Sequence, residues 1–187
     1  ILIDSRGHGR STAGANQLSL YDMAKDVLAV LKDAGEEQAH VLGFSDGGNI
    51  AMILASRYPE RVSRLVLTGA NCDPGGIRLR YSIPMRFAQT VATIQTVFSQ
   101  EACHRKELLD LMITQPKLNK ADLGRITAPT LITAGEEDMI RRSHTEYLHR
   151  SIPNSELRWF PGGHFTPYEQ ADSYNAAVLE FLNRDSL

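Results

Sequence analysis

The feature that most constrains this chain is a repeated alternation of short apolar runs with stretches of helical periodicity. Ile1–Asp4, Ala39–Phe44, Arg64–Thr68, Pro129–Ala134 and Glu156–Phe160 read as short, buried strands. Between and after them lie helical patterns. In the first, Leu20, Met23, Ala24, Val27, Leu28 and Leu31 share one face, with Ser19 as N-cap, Asp22 three residues on and Gly35 as stop. Gly47–Tyr58 and Tyr168–Asn183 read as further helices. Strand–helix alternation of this kind predicts an α/β fold: a mostly parallel sheet with helices on both faces. At 187 residues the chain is long enough to bury one such core.

The rhythm breaks between residues 70 and 126. That stretch has no strand pattern, but helix-like segments lie near Met85–Phe98 and Glu101–Ile113. The expected organisation is therefore a core of residues 1–69 and 127–187 with a helical cap insertion at 70–126. The insertion's Tyr81, Met85, Phe87, Phe98 and Met112 read as packing residues.

Charge narrows the function classes. A net charge of −2, with Lys and Arg scattered rather than striped, excludes an electrostatic footprint for nucleic acid or anionic membrane. The longest apolar runs are too short to span a bilayer. Cys72 and Cys103 form no C-x-x-C pair, which points to free thiols and a cytoplasmic setting rather than to a disulfide framework or a zinc site.

The chemistry gathers at strand ends. Gly43-Phe44-Ser45-Asp46-Gly47-Gly48 joins a buried strand directly to a helix, the setting of a nucleophile elbow. Such a turn holds Ser45 in a strained conformation, and the flanking glycines keep side chains from blocking it. The Asp46 N–H, at the helix N-terminus, is placed to receive developing negative charge. A serine hydroxyl needs a base, and His164 in Pro161-Gly162-Gly163-His164-Phe165 follows the last strand. His40 lies in a strand, and His104, His144 and His149 lie on helical stretches without metal-ligand spacing. Gly7-His8-Gly9 looks like a His-Gly oxyanion motif, but only one helix separates it from the nucleophile strand, so His8 reads as a turn residue. The base needs a carboxylate to orient it. Asp138, third after Gly135 at the end of another strand, is chosen over Glu136 and Glu137, which read as solvated loop charges. The order Ser45, Asp138, His164 is that of α/β-hydrolases.

These residues are similar to the α/β-hydrolase superfamily, in its branch of small esterases, lactonases and C–C hydrolases. The resemblance rests on Asp4-Ser5-Arg6-Gly7-His8-Gly9-Arg10-Ser11, on Gly43–Gly48, on Pro129–Asp138 and on Gly163-His164. The elbow followed by Thr68-Gly69-Ala70-Asn71 resembles the biphenyl-hydrolase-like group. It implies a serine hydrolase without metal or organic cofactor, acting on a small ester-like molecule. It also implies that the family's first strands are absent here. The third would fill a slot between Ile1–Asp4 and Ala39–Phe44, and its loop supplies a second oxyanion donor. The expectation is a longer protein with roughly 50–80 further N-terminal residues. Loss of one donor costs about 2.7–4 kcal/mol of transition-state stabilisation, so residues 1–187 alone are expected to be unstable and nearly inactive.

The leading reading is hydrolysis of a small carboxylic ester, thioester, lactone or activated amide through an acyl-enzyme on Ser45. The alternatives are C–C bond hydrolysis or perhydrolysis with the same three residues, or a non-catalytic protein that binds a small ligand. Asp46 and Phe44 are candidate substrate contacts. Asp46 either attracts a cationic group on the substrate or points aside to favour the helix N-terminus.

Overall fold

The computed structural model describes residues 1–14, 17–96 and 99–184. The elements are α1 (Leu20–Asp33), β1 (Ala39–Phe44), α2 (Asp46–Arg57), β2 (Val62–Thr68), α3 (Leu79–Gln95), α4 (Gln100–Thr114) and α5 (Lys120–Leu123). They continue with β3 (Thr130–Gly135), α6 (Arg142–Ser151), β4 (Ser155–Phe160), α7 (Thr166–Glu169) and α8 (Ala171–Leu182). The four strands lie in the order β1-β2-β3-β4, every pair parallel. Because each crossover returns the chain to the same end of the sheet, all four strands release their following loops at one rim.

Alternation along the strands divides the core. Leu65, Leu67 and Ile132 pack with α1, α2 and α6 residues such as Met23, Ile53 and Leu148. Val66, Leu131 and Phe160 pack on the opposite face against Tyr174, Val178 and Phe181 of α8. The expected sheet, covered on both faces, is therefore present.

Ile1–Asp4 is a correction: it forms no strand, and Ile1 and Leu2 are exposed. Apolarity alone does not make a strand; a neighbouring backbone must be in reach to pair with it. A groove of about 490 Å³ separates these residues from β1, in the place of the expected slot. The turn after Ile1–Asp4 is firmly held. The Asp4 carboxylate accepts the Arg10 N–H at 3.0 Å and fills the space a Gly9 Cβ would need, 2.4 Å from Asp4 Cγ. Arg6 pairs twice with Asp26 at 2.6 Å, which ties the turn to α1.

Other boundaries moved for local reasons. Ser19 is the N-cap of α1 but makes no side-chain cap, and Asp22 bonds Lys25 rather than closing a capping box. The Leu20 N–H, left free at the helix start, donates to Gln115 Oε1 at 2.9 Å. The expected final helix is two, α7 and α8, broken at Gln170.

Between β2 and β3 the described residues contain helices and no named strand. The helix expected near Met85–Phe98 starts earlier, at Leu79, and carries Pro84 inside it; Phe98 lies outside the described residues. Among the expected packing residues, Phe87 is 73% exposed, Tyr81 is exposed, and Met85 and Met112 are only half-buried. The reason is that α3 buries only Ala92, beside α4, and turns Leu79, Ile83, Phe87 and Ile94 outward.

Candidate active site

β1 ends at Phe44, and the next residue turns the chain into α2. Ser45 occupies that turn at φ 54°, ψ −121°, the only non-glycine with positive φ among the described residues. Such a conformation costs of order 1–3 kcal/mol and persists only where the surroundings fix it. Here the Ser45 N–H donates to Thr68 O at 2.8 Å, tying the turn to β2. Gly43 is required by space, since a Cβ there would lie 2.2 Å from Gly47 O. The third glycine of the motif, Gly48, is similarly confined, 2.8 Å from Ala70 Cβ. Gly47, expected to be needed for clearance, faces open space.

The structure brings together Ser45, His164 and Asp138, although 119 residues separate the first two. His164 Nε2 lies 3.0 Å from Ser45 Oγ, and His164 Nδ1 lies 2.8 Å from Asp138 Oδ1. A carboxylate only accepts, so the imidazole proton sits on Nδ1 and leaves Nε2 free to accept from the serine hydroxyl. Asp138 is 1% exposed, and its remaining bonds come from its own turn. The Ile140 N–H donates to Oδ1 at 2.9 Å and the Gly135 N–H to Oδ2 at 3.4 Å. Glu136 and Glu137 are exposed. A hydroxyl donating to an imidazole that a buried carboxylate orients is an arrangement suited to general-base activation of a nucleophile.

Beneath the imidazole lies Gly69, at φ +57°. A Cβ there would stand 2.8 Å from His164 Cε1 and 3.0 Å from Nδ1. The Gly69 N–H donates to Thr133 O at 2.9 Å, so the floor is part of the sheet. One layer lower, the hydroxyls of Thr68, Thr133 and Tyr174 form a buried chain at 2.7 and 2.8 Å. Gly69 was named from the sequence only within Thr68-Gly69-Ala70-Asn71, with no role of its own; its signal is a glycine directly after a strand that ends at the same rim as Ser45.

Asp46 begins α2, where its N–H has no helical partner and is available to a ligand. Its half-buried side chain accepts from Asn49 Nδ2 at 3.3 Å. Asn49 is in turn held by Asn71, whose N–H donates to its Oδ1 at 2.8 Å. Burial holds the Asp46 carboxyl above the usual aspartate range, opposed by His8, by the Asn49 bond and by His164. Phe44 stacks near the base, with ring centroids 5.1 Å apart, and meets Phe165 at 6.0 Å and Tyr168 at 6.3 Å. Phe165 and Tyr168 are exposed, so the mouth of the site has an aromatic rim.

His8 sits in a turn, its Nδ1 3.1 Å from Arg6 O. A thiol–imidazole contact also exists away from Ser45: Cys72 Sγ lies 3.5 Å from His144 Nε2. It is ill suited to nucleophilic chemistry. Burial pushes the Cys72 thiol up to about 12, and the Cys72 N–H already donates to that same nitrogen at 3.2 Å. Among the described residues no group of three or more His, Cys, Asp or Glu side chains could hold a metal ion, and no helix is long and apolar enough to cross a membrane.

Comparison with known proteins places the chain in a family. The family model described as "alpha/beta hydrolase fold" matches residues 1–97. A 2-hydroxy-6-oxononadienedioate/2-hydroxy-6-oxononatrienedioate hydrolase from Burkholderia vietnamiensis is 30% identical, the match covering 98% of this chain and 76% of that protein. The human serine hydrolase BPHL is 26% identical, with 96% and 67% covered. Among solved structures, an alpha/beta hydrolase enzyme from a Medee basin deep-sea metagenome library superposes with a TM-score of 0.83 at 22% identity, covering 98% of this chain and 79% of that one. The chain belongs to the alpha/beta hydrolase fold family.

Proposed function

We propose that this hydrolase cleaves a small carboxylic ester, thioester, lactone or activated amide through an acyl-enzyme on Ser45. The observation that carries the reading is the continuous Ser45–His164–Asp138 contact at 3.0 and 2.8 Å, with the serine at the head of a helix. Ser45 Oγ attacks the carbonyl carbon as its proton passes to His164 Nε2, and Asp138 stabilises the resulting imidazolium. The negative charge on the substrate oxygen is received by the Asp46 N–H. His164 returns its proton to the leaving group. Water, deprotonated by the same nitrogen, then attacks the acyl carbon; the bond to Ser45 Oγ breaks, and Oγ takes the proton back from Nε2 as the acid leaves. Residues 70–126 act as a cap that shapes the acyl and alcohol pockets. The chain needs no metal or organic cofactor for these steps.

A second reading is C–C bond hydrolysis, favoured by the names of the relatives from Burkholderia vietnamiensis and Klebsiella pneumoniae. Those names describe dioates. The aromatic rim of Phe44, Phe165 and Tyr168 favours an apolar ester over a dianion.

The test is a panel of esters, lactones and vinylogous diketone acids, run beside Ser45→Ala. Ester or lactone turnover that disappears in Ser45→Ala supports the leading reading. Turnover of the diketone acids alone replaces it with the second. Saturable ligand binding without turnover would make the protein a binding module.

A further inference from the structure

The three groups of the proposed catalytic set are not equally well anchored. Ser45 sits between a strand and a helix, and Asp138 is buried in its own tight turn. His164 hangs instead from Gly162-Gly163, two residues with the least intrinsic backbone restraint, and Gly162 stands at φ +105°. Three hydrogen bonds hold that segment. The Glu137 N–H donates to Gly162 O at 3.0 Å, which ties the base loop to the residue just before Asp138. Thr166 Oγ1 donates to Gly163 O at 2.8 Å. The Gly163 N–H donates to Glu169 Oε2 at 3.0 Å.

The last of these is unusual in its partner. Glu169 is exposed and, among the described residues, forms no ion pair, yet its carboxylate folds back six residues onto the backbone. It lies so close that a Cβ on Gly162 would be 2.7 Å from Glu169 Oε2. On the opposite side Gly135 leaves room for the same segment, since a Cβ there would fall 2.0 Å from Gly163 O. The peptide before the base is thus pinned between the acid loop and α7.

We propose that Glu169 is a positioning residue, whose carboxylate, by accepting the Gly163 N–H, fixes the turn that aims His164 at Ser45. The inference rests on the reading of Ser45, His164 and Asp138 as the catalytic set. Without the acceptor, the two glycines regain freedom and the imidazole spends less time within reach of Oγ. Substrate contacts are untouched, so the loss falls on kcat and not on KM.

Glu169→Ala and Glu169→Gln test it, because the amide oxygen of glutamine can still accept the N–H. In Glu169→Ala, kcat and the rate of fluorophosphonate labelling are expected to fall roughly tenfold, a fraction of the ~100-fold that a 1 Å misplacement costs. KM stays unchanged and Tm within roughly 2 °C, as for an exposed substitution. Glu169→Gln should recover to within about threefold of the parent. Unchanged kcat in Glu169→Ala overturns the proposal, as does equal loss in both variants or a loss matched by a fall in Tm. If the parent protein neither labels nor turns over ester, the catalytic reading itself fails, and this inference with it.

Discussion

Replacing Gly69 by alanine probes the floor beneath the His164 imidazole without removing any functional group. The added Cβ would lie 2.8 Å from His164 Cε1, 3.0 Å from Nδ1 and 3.4 Å from Asp138 Oδ2. An ordinary carbon–carbon contact needs about 3.5 Å or more, so the ring must rise by roughly 0.7 Å or tilt. The ring bridges two hydrogen bonds at once, and no single displacement preserves both. A misplacement near 1 Å costs about 100-fold in rate, so kcat should fall roughly 30- to 100-fold. Backbone strain adds a separate effect, because alanine at φ +57° costs about 1–2 kcal/mol. For a chain of this size that corresponds to a Tm lowered by roughly 2–8 °C. The assay is steady-state kinetics on a chromogenic ester, with thermal unfolding alongside. Wild-type kcat in a folded Gly69→Ala protein would refute the reasoning, since it would mean that the imidazole does not work from the position described.

Charged and titratable groups near the site give further expected outcomes. Asp46→Ala should lower kcat/KM for a cationic ester about tenfold more than for its neutral analogue; equal losses would remove the cation-binding role. Because burial raises the Asp46 pKa, any preference for cationic esters should fade as pH drops through a range above that of an ordinary aspartate. Thiol titration of the native protein should modify Cys103, which is exposed, and spare Cys72 until denaturant is added; rapid modification of both would contradict the burial described. His144 is held neutral, its pKa lowered first by burial and then by Arg141. The unfolded chain therefore binds the extra proton first, and stability falls as pH drops through about 6.5 toward the lowered folded value. Denaturant midpoints from about pH 7.5 to about pH 5 should show a decline that His144→Gln reduces, and identical slopes would remove His144 as its source.

What could be read from residues alone was whatever depends on short-range pattern. Ala39–Phe44 running into a Gly-rich turn and then a helix is a local statement, and Ser45 is found from it. Asp138 was readable because its turn closes on itself, from Gly135 N–H to Asp138 Oδ2. Misreadings came where a local signal competed with a distant partner. Ile1–Asp4 has strand composition but no strand to pair with. Asp22 is spaced for a capping box yet bonds Lys25, while Asn119 and Asp122 form such a box unannounced. The helix expected from Met85 begins before Pro84 and runs through it, with α4 packed along α3. The roles of Gly69 and Glu169 were invisible because they are set at a distance. The importance of residue 69 lies in a side chain 95 positions away, and Glu169 matters through the backbone of Gly163.

The most direct test is to locate a covalent adduct. Intact-mass and peptide analysis after fluorophosphonate treatment should find one modification, on the peptide containing Ser45. That adduct should vanish in Ser45→Ala and form at least about 1,000-fold more slowly in His164→Ala. An unmodified protein, or an adduct that survives Ser45→Ala, would contradict the assignment of Ser45 as a nucleophile activated by His164.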